Sequence, residues 1–339
     1  MAGRLAGLTA LVTGGGGGSG SQVALGFAAE GARVVVNDFG TDAWGRESGA
    51  PRAQAVVDLI TEGGGEAIVD TGDIGDSRQA GLAVQRAIHA WGKLDIVVNT
   101  AGTIRLGTIS DTAADDLASQ LHVHVWGYYN ISHHASKHWV ERGEYGRLIN
   151  FSSSAGWGHS FPTLLAYGTA KAASWGLTRA TANALAAYNV TANAIAPNAG
   201  GHPMGDAMVH ARRLFEETGQ LESELVKGGN RDPVHCVPLV VFLASPRAAH
   251  VSGRLFMTVG GSYRMLCELD TEREVKVDFL SEPERTYDEI EKTLLAGLTL
   301  ADLPKPLASF DVIGEDWAEV HGVEPPYLDF STSQGGASA

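Results

Sequence analysis

Cysteine is almost missing: Cys236 and Cys267 are the only two in 339 residues. Two thiols cannot build a disulfide framework or a four-ligand structural zinc site, and such sparse usage fits a reducing cytosol. No apolar run approaches the ~18 residues that a membrane helix requires. The apolar stretch Leu5–Val12 gives way to glycines too soon for an export signal, so a cytoplasmic location is expected. Positive charge is scarce too, with Lys+Arg 25 against Asp+Glu 39, which speaks against nucleic acid or an anionic membrane as partner. What the chain does have is apolar mass. At 44% hydrophobic it is not disordered, and it can fill one large domain or two modest ones.

The acidity is unevenly spread. From Met265 to Ala339 there are 5 basic residues (Arg273, Lys276, Arg285, Lys292, Lys305) against 17 acidic ones, leaving 20 against 22 in the first 264. The expected division is therefore a nearly neutral body, 1–264, and an acidic C-terminal extension, 265–339. The extension holds five of the 12 prolines, a strand-like stretch Glu274–Phe279, a helix-like stretch Tyr287–Leu298 and a frayed end from Ser331. Leu294, Leu295, Leu298, Phe310, Trp317 and Phe330 are too much apolar surface to leave in water. The extension is expected to fold over the body or a neighbouring subunit, near a lid formed by Asn198–Asp232.

Within the body, short β-branched runs alternate with longer helical stretches. Strands are expected at Thr9–Val12, Arg33–Asn37, Ala67–Asp70, Leu94–Asn99, Arg147–Phe151, Val190–Ile195 and Leu255–Val259. Helices are expected near 20–30, 52–62, 77–91, 112–141, 166–187 and 233–244. This alternation indicates βαβ units and a doubly wound α/β domain with a parallel sheet, and runs such as Val34-Val35-Val36 suit strands buried on both faces. Long loops at Phe39–Arg52 and Asn198–Asp232 follow strands, where such folds place ligands.

Two stretches carry chemistry. Thr13-Gly14-Gly15-Gly16-Gly17-Gly18-Ser19-Gly20 follows a strand and opens a helix. Glycines let the backbone turn tightly and approach a pyrophosphate, while the helix N-terminus supplies unpaired N–H groups. Asp38 ends the second strand, where a carboxylate can accept hydrogen bonds from an adenosine ribose and repel a 2′-phosphate. The glycine loop has no Lys or Arg, and Arg46 is eight residues beyond Asp38, which points to NAD over NADP. The second stretch is Tyr167-Gly168-Thr169-Ala170-Lys171. Residues i and i+4 share a helix face, so the Lys171 ammonium can sit beneath the phenol. A cation at ~5 Å and an effective dielectric of ~20 contributes about 3 kcal/mol, enough to lower a phenol of pKa ~10 toward neutrality for acid–base work.

Thr-Gly-x3-Gly-x-Gly at 13–20, Asp38, Asp73-Ile74, Asn99-x-Ala101-Gly102, Ser153, Tyr167-x3-Lys171 and Pro197 resemble, in order and spacing, the short-chain dehydrogenases/reductases. The likeness covers roughly residues 5–264. It implies a Rossmann-type seven-stranded sheet and hydride transfer between nicotinamide and an alcohol carbon. By the same resemblance Tyr167 exchanges the hydroxyl proton and Ser153 holds the carbonyl oxygen. Lys171 binds the nicotinamide ribose, Asp73 and Ile74 flank the adenine, and Asn99 steadies the strand beside the cofactor. Gly14, Gly18, Ser19, Gly20, Ala101, Gly102 and Pro197 complete the cofactor-binding set.

The chain departs from the pattern at Ser19, at Thr100 and at His124, which stands where the family has an Asn that anchors a proton-relay water. Ser153 precedes Tyr167 by 14 residues rather than 13; Asn150 sets the register in favour of Ser153, with Ser154 as the alternative. Val36-Asn37-Asp38-Phe39-Gly40, His124 and Ala196-Pro197-Asn198-Ala199-Gly200 narrow the likeness to the (3R)-hydroxyacyl-CoA and 17β-hydroxysteroid dehydrogenase units of multifunctional enzymes.

The expected activity is NAD-dependent interconversion of a hydrophobic secondary alcohol and its ketone. A (3R)-hydroxyacyl-CoA dehydrogenase is the alternative, and Arg212, Arg213, Lys227 and Arg231 are the cations available to a CoA ester. A non-catalytic NAD-binding sensor is the rival from another class. His133, His134 and His138 lack the Glu of a His-Glu-x2-His pattern and are not read as metal ligands. Stretches 112–141 and 166–187, the latter with nine alanines, are expected to build a homodimer or homotetramer interface.

Overall fold

The computed structural model describes residues 3–41, 45, 52–157, 163–197, 232–259 and 262–266. Eight strands form one sheet in the order β3-β2-β1-β4-β5-β6-β7-β8. They are β1 Thr9–Thr13, β2 Arg33–Asn37, β3 Ala67–Asp70, β4 Ile96–Asn99, β5 Gly146–Phe151, β6 Val190–Pro197, β7 Leu255–Val259 and β8 Ser262–Met265. The first seven run parallel, as the βαβ alternation requires. The eighth extends the expected seven-stranded sheet and is antiparallel to β7, pairing Val259 with Ser262. Only two residues join β7 to β8, a link that can return the chain antiparallel but is far too short for a crossover. The body thus reaches beyond residue 264, since Met265 pairs with Phe256.

Seven helices flank the sheet: α1 Gly18–Ala29, α2 Arg52–Glu62, α3 Ser77–Trp91, α4 Ala114–Leu121, α5 Tyr128–Arg142, α6 Leu165–Leu185 and α7 Val237–Ala244, counted among the described residues. Successive strand residues point to opposite faces. Val12, Val34, Val36, Val98 and Phe151 therefore meet Val23, Phe27, Val56 and Val240 of α1, α2 and α7 on one side. Leu11, Val35, Val97 and Leu148 meet Ala83, Val84, Ile131 and Trp139 of α3 and α5 on the other. Both faces are dry, so the middle strands need apolar residues at every position.

The helical stretch expected at 112–141 is not one helix. Between α4 and α5 lies a π-helical segment, His122–Gly127, whose wider turn carries His124 and Gly127 inward. Strand order reverses between β1 and β4, so the crevice beyond their C-terminal ends is the place where such sheets bind ligands. Among the described residues no helix is long and apolar enough to cross a membrane. The extension from residue 267, residues 198–231 of the expected lid Asn198–Asp232, Arg46, and the acyl-CoA candidates Arg212, Arg213, Lys227 and Arg231 lie outside the described residues.

Candidate active site

The glycine loop closes the crevice from one side. Gly14 has φ +66, and a Cβ there would lie 2.6 Å from the Ala101 backbone; one at Gly20 would strike the Gly14 carbonyl and the Thr100 hydroxyl. The first and last glycines are thus required by backbone-to-backbone packing between the loop, α1 and the segment after β4. Gly18, also at positive φ (+44), and Ser19 form the first turn of α1. At Gly17 an added Cβ meets nothing closer than the Arg52 guanidinium at 3.5 Å, so this stretch of loop has room for a ligand beside it.

Asp38 is tied to the loop. Its Oδ2 accepts the Gly16 N–H at 3.1 Å and its Oδ1 the Gly40 N–H at 2.8 Å. Arg52, at the start of α2, brings its Nη2 to 3.6 Å from Asp38 Oδ1 and also donates to the Thr41 carbonyl. Along the chain the first cation after this carboxylate is Arg46, which lies outside the described residues. The fold brings Arg52 there, because α2 starts beside the C-terminal end of β2.

A buried polar ladder runs from the loop to α6. Thr13 Oγ1 donates to Asn99 Oδ1 (3.3 Å), Asn99 Nδ2 to Asn150 Oδ1 (2.9 Å), and Asn150 Nδ2 to Thr178 Oγ1 (2.9 Å). Ser152 and Ser174 both donate to the Lys171 carbonyl. Each of these groups would cost free energy if left unpaired in the interior, so together they set the register of β1, β4, β5 and α6. Ala101 and Gly102 follow β4, and a Cβ at Gly102 would lie 2.6 Å from the His124 ring. Asp73 accepts the Gly75 N–H at 2.8 Å through Oδ1 and faces His122 Nε2 at 3.0 Å through Oδ2. Ile74 turns its side chain into the core beneath Gly127, and its carbonyl accepts from Asn130 Nδ2 at 3.0 Å. Pro197 ends β6 at the rim.

The second half of the site stands opposite. Tyr167 and Lys171 lie one turn apart on α6, and His124 and Tyr128 lie one turn apart where the π segment enters α5. The His124 ring meets the Tyr167 ring edge-on, with centroids 5.4 Å apart. The Ser153 hydroxyl hydrogen-bonds the Tyr167 phenol, whereas Ser154 begins a short 3-10 turn. Lys171 Nζ donates to the Phe151 carbonyl at 2.6 Å and to Tyr128 Oη at 3.3 Å, and lies 5.7 Å from the Tyr167 ring centre. His124 Nε2 is 2.8 Å from the Thr103 carbonyl and so carries the proton, which makes buried Nδ1 an acceptor with no partner among the described residues. Sequence reasoning missed Tyr128. The signal was present as His-x3-Tyr at 124–128, the same i,i+4 spacing as Tyr-x3-Lys.

Electrostatics corrects one expectation. Lys171 was to lower the phenol of Tyr167, yet burial pushes that phenol above its usual 10, with the Ser153 hydrogen bond pulling the other way. The ammonium is itself buried, and burial brings Lys171 down from 10.5 to about 7. A cation so weakened, and bonded to the Phe151 carbonyl, exerts less pull than the simple Coulomb figure assumed. His124 is held well below its usual range by burial and next by the Lys171 charge, so the imidazole is neutral.

A stability test follows from Lys171. Between pH 7 and 10.5 the unfolded chain binds a proton that the folded chain does not, so this group's penalty is complete below about 7 and fades as pH rises. Lys171→Met should therefore raise the melting temperature at pH 6, by an amount corresponding to at most about 5 kcal/mol. That gain should shrink toward pH 10. A gain independent of pH would show that the buried ammonium is not its source.

The other histidines are separately engaged. His138 accepts the Leu94 N–H at 3.2 Å, His134 Nε2 faces the Ser77 carbonyl at 2.9 Å, and His133 stacks on Tyr129.

A doubly wound sheet with a glycine loop at its switch point and a Ser, Tyr and Lys cluster across the crevice defines a dinucleotide-dependent oxidoreductase. The family model for short chain dehydrogenase matches residues 8–212. The chain belongs to the short-chain dehydrogenase/reductase family and is an oxidoreductase acting on CH–OH groups. It is 34% identical over 286 residues to hydroxyacyl-CoA dehydrogenase ChsB1 of Mycobacterium tuberculosis, covering 81% of this chain and 84% of that one. It is also 34% identical to peroxisomal multifunctional enzyme type 2 of Mus musculus, a longer protein, over 76% of this chain and 32% of the other. Among solved structures, a short chain dehydrogenase from Mycobacterium paratuberculosis bound to NAD superposes with a TM-score of 0.65 at 26% identity, covering 76% of this chain and 97% of that one.

Proposed function

We propose that the chain is an NAD-dependent dehydrogenase that interconverts a hydrophobic secondary alcohol and its ketone. The observation that carries this reading is the convergence of Ser153, Tyr167 and Lys171 across the crevice from the glycine loop and Asp38. The nicotinamide, when bound, takes up the hydride from the alcohol carbon or returns it. Tyr167 takes or gives the hydroxyl proton, and its raised phenol pKa suits it to donate to a carbonyl near neutral pH. Ser153 donates a hydrogen bond to the carbonyl oxygen, where negative charge develops. Lys171 holds the nicotinamide ribose, and Asp38 accepts from the adenosine ribose. Gly14, Gly18, Ser19 and Gly20 present backbone to the pyrophosphate, while Asp73 and the Ile74 main chain flank the adenine. His124, neutral and with Nδ1 accepting, takes part in the proton route in place of an Asn. In oxidation, alcohol and NAD become ketone, NADH and a proton.

A second reading is a (3R)-hydroxyacyl-CoA dehydrogenase, favoured by the similarity to hydroxyacyl-CoA dehydrogenase ChsB1. The chain is also proposed to work as a homodimer or homotetramer in the cytoplasm. Trp126 and Tyr129, 58% and 42% exposed where α5 begins, supply apolar surface for that contact.

Steady-state assays with NAD and NADP against hydrophobic secondary alcohols and a (3R)-hydroxyacyl-CoA series should give turnover with NAD. If only the thioesters turn over, the second reading replaces the first. Tight NAD binding with no turnover on either series would leave a sensor.

A further inference from the structure

Lys171 is 4% exposed, and among the described residues no carboxylate offsets its burial. An ammonium has three N–H donors and no way to be satisfied except by acceptors around it. One N–H reaches the Phe151 carbonyl at 2.6 Å; a second reaches Tyr128 Oη at 3.3 Å. Tyr128 is itself fully buried, and its hydroxyl is held from the other side, donating to the Ala101 carbonyl at 3.0 Å, with the Phe151 carbonyl at 3.3 Å. Ala101 is the residue whose backbone closes against Gly14. The phenol therefore bridges the ammonium on α6 to the wall of the glycine loop.

We propose that Tyr128 is a positioning residue for the reaction, its hydroxyl fixing the Lys171 ammonium so that the third N–H remains for the cofactor ribose. This rests on the reading of Lys171 given above. The groups that face Lys171 support the assignment. Tyr167 lies on its own helix, His124 comes from the π segment and Tyr128 from the start of α5, and β5 contributes the Phe151 carbonyl. Of these, the Tyr128 hydroxyl is the side-chain acceptor in hydrogen-bond contact with Nζ. Burial, and next the neighbouring Tyr167, keep the Tyr128 phenol well above 10, so it stays a neutral hydroxyl that accepts from the ammonium and donates to Ala101. The ring would survive Tyr128→Phe with its packing intact, and only the bridge would go.

Tyr128→Phe should lower kcat by about threefold to tenfold, the loss expected of one hydrogen bond to a charged group. An ammonium deprived of an acceptor gives up its proton more readily. The alkaline limb of kcat/KM for NAD should accordingly move toward acid by about half a pH unit or more. Melting curves supply a readout that needs no activity: Tyr128→Phe should change how stability varies between pH 7 and 9, below the range where a tyrosine of the unfolded chain titrates, and should change nothing in that dependence once Lys171→Met is present. An unshifted limb with unchanged kcat would overturn the proposal, as would an equal change on the Lys171→Met background. Tyr167→Phe and Lys171→Met run alongside. If both are inactive while Tyr128→Phe behaves as wild type, the bridge is wrong and the site reading stands; if either stays active, the site reading itself is wrong.

Discussion

Tyr167→Phe should cut turnover by about several hundredfold or more while leaving NAD affinity nearly unchanged. The substitution keeps the ring, and with it the edge-on contact to His124 at 5.4 Å and the packing against Ile104, Ala155 and Leu164. Only the hydroxyl is lost, so the change reads the proton transfer and little else. The pH dependence sharpens the test. Burial holds the phenol above 10, so in wild type at saturating NAD the kcat of alcohol oxidation, which needs a base, should rise with pH above 7, while ketone reduction should persist at neutrality. In Tyr167→Phe the residual rate should lose that slope. A variant keeping a tenth of wild-type turnover would remove Tyr167 from the chemistry.

Much of this site was legible because its parts are local. A glycine run between a strand and a helix, an Asp at a strand end and a Tyr-x3-Lys on one helix face each follow from periodicity and spacing over fewer than ten residues. The strand starts also came close, since a run such as Val34-Val35-Val36 has nowhere to go but a sheet covered on both faces. The missed features are non-local. Arg52 is 14 residues from Asp38, and nothing in the intervening loop says that α2 begins beside β2. Tyr128 reads as one more aromatic on an amphipathic helix until the π segment turns it toward Lys171, 43 residues away. The electrostatic error has the same root. The Coulomb estimate took a full positive charge at Lys171, whereas burial, which depends on everything packed around the residue, leaves that charge only half present near pH 7.

The proposed preference for NAD rests on another pair that spacing alone does not show. Asp38→Ala removes the acceptor for the Gly16 and Gly40 N–H groups as well as the proposed ribose acceptor. Losing hydrogen bonds to a carboxylate costs about 2–4 kcal/mol, so NAD affinity should fall by roughly 30-fold to 1000-fold. The same change takes the counter-charge from Arg52, which keeps its bond to the Thr41 carbonyl; its Nη2 stands 3.6 Å from Asp38 and its Nη1 lies 3.5 Å from where a Gly17 Cβ would sit. A guanidinium without that counter-charge would meet the 2′-phosphate of NADP, so affinity for NADP should fall far less, or rise. Arg52→Ala should act in the opposite sense: the carboxylate loses its counter-charge, repels the phosphate more strongly, and sharpens the preference for NAD. Dissociation constants for both cofactors across wild type, Asp38→Ala and Arg52→Ala decide the matter without any substrate in hand. A wild type that prefers NADP tenfold, or an Arg52→Ala variant whose preference moves toward NADP, would show that the carboxylate does not set the choice.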